Sequence, residues 1–170
     1  RVLASYKRLP NGANIAYYET QALSVPGVAA VSVMPKHRGV GTVDVVITGV
    51  SGTPSYALIT AVEEKLQAQR EICVDLKVLS PDTTSVNITA AITTAPEFDS
   101  SEVRLAVRKA MQAYFNGALL GKPILRAELG RIIYGVEGVA NYNLTLPAAD
   151  LPGVADLLPV LGILRLSEAV

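Results

Sequence analysis

Two small α+β subdomains are the fold class this sequence predicts, each a mostly antiparallel sheet with helices packed on one face. Three observations predict it. The first is a repeat: "SVPGVAAVSVMP" (Ser24 to Pro35) and "GVEGVANYNLTLP" (Gly135 to Pro147) each set a Gly-Val pair before a short run that ends at a proline. A helical pattern precedes each pair, with apolar Tyr18, Ala22, Val25 and Val28 in one copy and Leu129, Ile133, Val136 and Val139 in the other. The second is period-two alternation in several runs of strand length, interleaved with helical segments. The third is "SPDTT" (Ser80 to Thr84), a turn-forming stretch between two strong strand patterns, which divides the chain into 1–80 and 81–170. A chain of 170 residues can bury roughly 70% of its unfolded surface, so such units need no disulfide or metal to hold them.

The elements follow in order. Residues 1–13 are polar, with Pro10 and an Asn11-Gly12 turn signal, and read as a leading loop. Asn14 caps a helix from Ile15 to about Ser24, closed by "VPG". "VAAVSVMP" is then a strand, "KHRGVG" a turn and "TVDVVITGV" its hairpin partner, with Val43, Val45 and Ile47 on one face and Asp44, Val46 and Thr48 on the other. Thr53 and Pro54 are suited to the N-cap and first position of a helix running to about Gln69, with Leu58, Ile59, Val62 and Leu66 inward. "ICVDLKVL" follows as a strand alternating Ile72, Val74, Leu76 and Val78.

The second half begins with "VNITAAITTA", which alternates Val86, Ile88, Ala90 and Ile92. Asp99 and Glu102 form a capping-box-like start to a long helix whose buried stripe is Val103, Val107, Ala110, Met111 and Tyr114. Asn116-Gly117 stops it. After "GKP" comes the second copy of the helix, Gly-Val and strand, then a loop "PAADLPGVADLLP" and a last strand "LGILRLSEA". Neither hairpin can bury its apolar face alone, so helices must lie across it. A split or permuted ferredoxin-like arrangement fits each half.

Composition narrows the function classes. Half the residues are hydrophobic, 18% are charged against about a quarter in an average domain, and mean hydropathy is +0.35. No apolar run reaches the ~20 residues of a membrane-spanning helix. The greasiest stretch, "LLPVLGILRL", is interrupted by Pro159, Gly162 and Arg165. No membrane span is therefore expected, and the surplus apolar surface points to neighbouring subunits. Net charge is zero and no basic cluster exceeds "KHR" (Lys36 to Arg38), which argues against nucleic acid as a partner.

Reactive groups are few. The single cysteine, Cys73, rules out an internal disulfide and reads as a buried structural thiol. His37 is the only histidine and reads as a solvated loop residue, since a catalytic base needs an orienting carboxylate. "RGVGT" leads into a strand, whereas a dinucleotide site needs a helix there. Asp44 and Asp75, each in a strand, read as solvent-facing or inter-subunit residues with no third ligand for a metal. Arg104, Arg108 and Lys109 form a basic stripe on the long helix, solvated or facing an acidic neighbour. No catalytic, metal or cofactor-binding residues are assigned and no cofactor is expected.

The stretch from Pro10 to Gly49 resembles the baseplate J-like, Mu-type wedge proteins of contractile bacteriophage tails. The residues that carry the likeness are Asn11-Gly12, Asn14, Tyr18, Ala22, Val25-Pro26-Gly27-Val28, Pro35, Arg38-Gly39 and Gly41-Thr42-Val43 with the alternating strand after it. "VDLKVLSP", "VNITAAI", the long helix and "LGIL" extend it over most of the chain, while Gln21 and Ala13 stand where an aromatic residue and a glycine are common. The resemblance, with the absent initiating Met, implies the C-terminal part of a longer structural subunit in a phage or prophage tail baseplate, made in the bacterial cytoplasm. Its expected partners are other baseplate subunits and further copies of itself. Lys36, His37 and Arg38 at the hairpin tip, and Leu157, Leu158 and Leu161 in the apolar tail, are the candidate subunit contacts. The competing class is a small-molecule-binding regulatory α+β module; an enzyme is not expected.

Overall fold

A computed structural model describes residues 14–169, which divide into two compact units, one ending at Asp82 and the other beginning at Thr83. The readings at Pro10, Asn11-Gly12 and Ala13 lie outside the described residues. In chain order the first unit holds α1 (Ile15–Leu23), β1 (Val28–Pro35), β2 (Thr42–Gly49), α2 (Tyr56–Gln67) and β3 (Asp75–Leu79). The second holds β4 (Asp82–Thr94), α3 (Ser100–Tyr114), a short 3-10 turn (Gly117–Leu119), α4 (Arg126–Tyr134), β5 (Val139–Leu146) and β6 (Leu157–Glu168). No helix among the described residues is long and apolar enough to cross a membrane.

In the first unit β2 is the central strand of the order β1-β2-β3. It pairs antiparallel with β1 and parallel with β3. The parallel pair follows from α2, because a strand that returns in the same direction needs a crossover, and a helix supplies it. Tyr18 and Ala22 of α1, Val62 and Leu66 of α2, Val45 and Ile47 of β2, and Leu76 and Val78 of β3 form one core. Each fully buried aliphatic side chain there contributes about 2 kcal/mol. The other face of β2 is closed as well: Asp44, Val46 and Thr48 are buried. The period-two pattern of "TVDVVIT" thus marks two covered faces, not one dry and one wet.

The second unit has the order β5-β4-β6, again with the strand preceding its longest helix at the centre. β4 pairs antiparallel with β5. Its partners on β6 advance with it: Asn87 Oδ1 accepts from Ile163 N, and Ile92 O accepts from Ala169 N, the parallel sense. Val86, Ile88, Ala90 and Ile92 of β4, Val103, Val107 and Met111 of α3, Leu129 and Ile133 of α4, and Leu158 of β6 are all buried. α3 contacts α4 and β6, and α4 contacts β5.

Both sheets are therefore mixed, within the α+β class. Each unit has a central strand leading to a helix (β2–α2, β4–α3). Each also has an antiparallel neighbour introduced by a helix and a Gly-Val turn (α1–β1, α4–β5), and a third, parallel strand (β3, β6). The first unit spells these in the order helix-strand, strand-helix, strand; the second exchanges the first two. Three strands per sheet is one fewer than a ferredoxin-like βαββαβ unit has.

The repeated turn has one physical basis. Val28 N donates to Val25 O and Val139 N to Val136 O, both at 3.2 Å, and the third residue of each turn is a glycine, Gly27 at φ +98° and Gly138 at φ +87°. That is a type II turn, which needs positive φ at its third position and favours proline at its second, where Pro26 stands.

Several boundaries differ from the sequence reading. The N-cap of α2 is Ser55, whose Oγ accepts from Leu58 N at 3.3 Å, and not Thr53. β3 begins only at Asp75, because the chain first turns through Glu71–Val74 (Val74 N to Glu71 O, 3.1 Å). Ile72 is consequently 97% exposed and Cys73 is exposed, not buried. "SPDTT" contributes only Ser80 and Pro81 between strands, since β4 already begins at Asp82, and β6 starts at Leu157 inside the predicted loop.

Candidate interaction site

The hairpin loop between β1 and β2 carries the densest polar network of the first unit. Lys36 takes a left-handed φ of +62°, and its N–H donates to Thr42 O at 2.8 Å, which closes the loop. Gly39 N donates to Lys36 O at 3.1 Å, and Thr42 Oγ1 donates to Gly39 O at 2.8 Å. The loop does not reach outward with its cations. It folds Arg38 back, so that Nε donates to Asp44 Oδ1 at 2.6 Å and Nη1 to Asp75 Oδ2 at 2.5 Å, while Nη2 meets Asp75 O at 3.2 Å. His37 Nδ1 lies 3.1 Å from Asp44 Oδ2.

Asp44 is fully buried in the middle of the sheet, where an unpaired carboxylate is costly. Arg38 and His37 cover it, and Lys77 stands beside it in the parallel register of β3. The Arg38 guanidinium, by hydrogen bonding first to Asp75 and then to Asp44, is held above its usual range; the same bond holds the Asp75 carboxyl below the usual carboxylate range. A planar fork that donates on two edges can bind both carboxylates at once in a fixed geometry. Arg38 thereby ties the hairpin loop to the start of β3, and Asp75 N donates to Gly41 O at 2.8 Å to reinforce the link.

Two aliphatic side chains project from this clamp. Val40, in the hairpin loop, is 94% exposed, and Ile72, in the turn before β3, is 97% exposed. The loops touch, since an added Cβ on Gly41 would stand 3.5 Å from Cys73 O. Arg70 braces the second loop by donating to Val74 O at 2.6 Å. An open hollow of about 350 Å³ beside it is lined by Gln67, Arg70, Ile72, Cys73 and Asp75, among others.

Of the predicted contacts, Lys36, His37 and Arg38 fall in this loop, but Arg38 is engaged within the chain. Asp44, read as solvent-facing or inter-subunit, is the buried anchor of the network. In the apolar tail Leu158 is a core residue of the second unit, 1% exposed, while Leu157 and Leu161 are half-buried. Adjacent residues of a strand face opposite ways, so the face that buries Leu158 is not the face of Leu157. Val40 and Ile72 escaped the sequence reading; an aliphatic between two glycines, as in "GVG", was the available signal for Val40.

The His37–Asp44 pair has the form of an oriented base. Among the described residues, however, no hydroxyl or thiol hydrogen-bonds the ring, and no group of three His, Cys, Asp or Glu side chains is placed to hold a metal ion. The arrangement braces a loop.

Residues 10–90 match the family model of the baseplate J-like central domain, and residues 86–167 match that of the baseplate J-like protein C-terminal domain. No curated protein matches the chain. Among solved structures, one match is a chain in the cryo-EM structure of the anti-feeding prophage (AFP) baseplate, six-fold symmetrised. The TM-score is 0.60 at 10% identity, over 89% of this chain and 37% of that one. At that identity the likeness is one of fold, and this chain spans little more than a third of that protein's length.

Proposed function

Because the chain belongs to the baseplate J-like family, we propose that it serves as a structural part of a contractile-tail baseplate wedge in a phage or prophage. It works through contacts with other baseplate subunits and further copies of itself, and is assembled in the host cytoplasm. One observation carries the proposal beyond the family: two almost fully exposed β-branched residues, Val40 and Ile72, stand on touching loops that Arg38 ties together through buried Asp44 and exposed Asp75. Apolar side chains held out on a pre-ordered surface favour association, because little conformational entropy is left to lose on binding. Lys36 and His37 flank them as polar rim. A baseplate that holds one arrangement and then switches needs contacts differing by a few kcal/mol between its states. Small apolar tips of this kind suit that scale.

The test is the double variant Val40→Ser, Ile72→Ser in the full-length protein. Both side chains are in water, so the melting temperature should be unchanged, while tail particles should assemble poorly or lack the protein. Normal contractile particles carrying the double variant would remove the tip from the proposal. A protein never recovered with tail particles would remove the proposal itself.

A further inference from the structure

We propose that the groove between α3 and β6 receives an acidic, leucine-bearing segment of a partner protein. The groove is an open depression of about 240 Å³ lined by Ser101, Arg104, Leu105, Arg108 and Leu166. Its apolar components are Leu105, which is 51% exposed on the helix, and Leu166 on the neighbouring strand. Both lie away from the core stripe of α3, which is Val103, Val107 and Met111.

The charges of the groove are unequal. Arg104 Nη1 lies 3.3 Å from Glu168 Oε2 and 3.3 Å from Ser100 Oγ, so its charge is already answered within the unit. Arg108, one helical turn further on, makes no hydrogen bond or ion pair among the described residues, and exposed Lys109 follows it. The acidic residue of this helix, Glu102, does not line the groove. An incoming carboxylate therefore meets one uncommitted guanidinium, which binds carboxylates in a bidentate fork. An aliphatic side chain next to that carboxylate would cover Leu105 and Leu166, with the arginine stems as walls. Nucleic acid is a poor match, since a single uncompensated arginine and a lysine cannot replace many counterions and the floor is apolar.

The groove belongs to the second unit, so its test is independent of the Val40 and Ile72 tip. The probe is a short peptide alternating leucine and glutamate, titrated into the isotope-labelled full chain and followed by amide chemical shifts. Saturable shifts are expected at Ser101, Leu105 and Arg108, with affinity falling as salt rises. Arg108→Glu should weaken binding by about tenfold or more, as like charges are then opposed, and Leu105→Ser should weaken it also. Both substitutions are at the surface, and unchanged spectra without peptide certify the fold. The proposal is overturned if no shift appears at millimolar peptide, or if Arg108→Glu binds as well as the parent. It is equally overturned if a serine-glutamate peptide binds as tightly, or if duplex DNA moves the same amides in place of the peptide.

Discussion

Replacing Gly138 with alanine, beside the same change at Gly27, separates what a repeated turn owes to its backbone from what it owes to its surroundings. Both glycines occupy left-handed φ, +87° and +98°. An L-residue there costs about 1–2 kcal/mol. The surroundings differ. A Cβ on Gly27 would stand 3.5 Å from Leu58 Cδ1, an ordinary contact; on Gly138 it would stand 2.7 Å from Val103 Cγ2 and 2.8 Å from Phe98 Cγ. Val103 is buried and cannot retreat, whereas the half-exposed Phe98 ring is able to swing outward. Overpacking against a fixed neighbour adds about 1–3 kcal/mol. Gly27→Ala should thus cost about 1–2 kcal/mol and Gly138→Ala about 2–5 kcal/mol. A unit of this size has roughly 4–13 kcal/mol in total, so the second loss is a large share of it. Urea unfolding followed by amide signals resolved for each unit measures both losses without assuming one transition for the whole chain. Equal costs at the two positions would refute the packing argument, because they would leave only the shared backbone contribution.

Four further outcomes follow from the same structure. Arg38→Ala strips buried Asp44 of its main partner and should lower the urea midpoint; Asp75→Asn removes only an exposed arm, and its midpoint should move far less. The Asp99 carboxyl is held below its usual range, first by the Ser101 hydroxyl and then by the Glu102 and Ser101 amides. A depressed carboxyl stabilises the fold above its unfolded pKa of about 3.9 and ceases to do so as pH falls through the folded value. Asp99→Asn, which still caps α3, should therefore flatten the acid side of the stability profile, and an unchanged slope would contradict the assignment. Exposed Cys73 should react with a maleimide in the native protein nearly as fast as in urea; labelling only after unfolding would place the thiol inside. Leu158→Ala should cost about 2–5 kcal/mol as a core truncation, and Ile163→Ala, on the same strand but exposed, should stay within about 0.5 kcal/mol.

Local chemistry is legible in the sequence alone. The Asn14 and Asp99 caps, the Gly-Val turns, the alternation of Val86, Ile88, Ala90 and Ile92, and the buried stripe of α3 depend on residues within a few positions of one another, so a linear reading finds them. The likeness to baseplate J-like proteins was equally linear, carried by spaced glycines, prolines and aliphatics.

What the linear reading misplaced depends on partners far along the chain. Asp44 reads as a polar residue on a strand's outer face until Arg38 and β3 arrive to bury it. Ile72 reads as strand because it is β-branched and alternates with Val74, yet β3 can start only where β2 offers an edge, at Asp75 beside Thr42. Parallel pairing in both sheets, and the shared unit spelled in two chain orders, likewise belong to tertiary structure. Helix, turn and cap are settled by short-range sterics and hydrogen bonds, whereas pairing and burial are settled by which distant surfaces exclude water together.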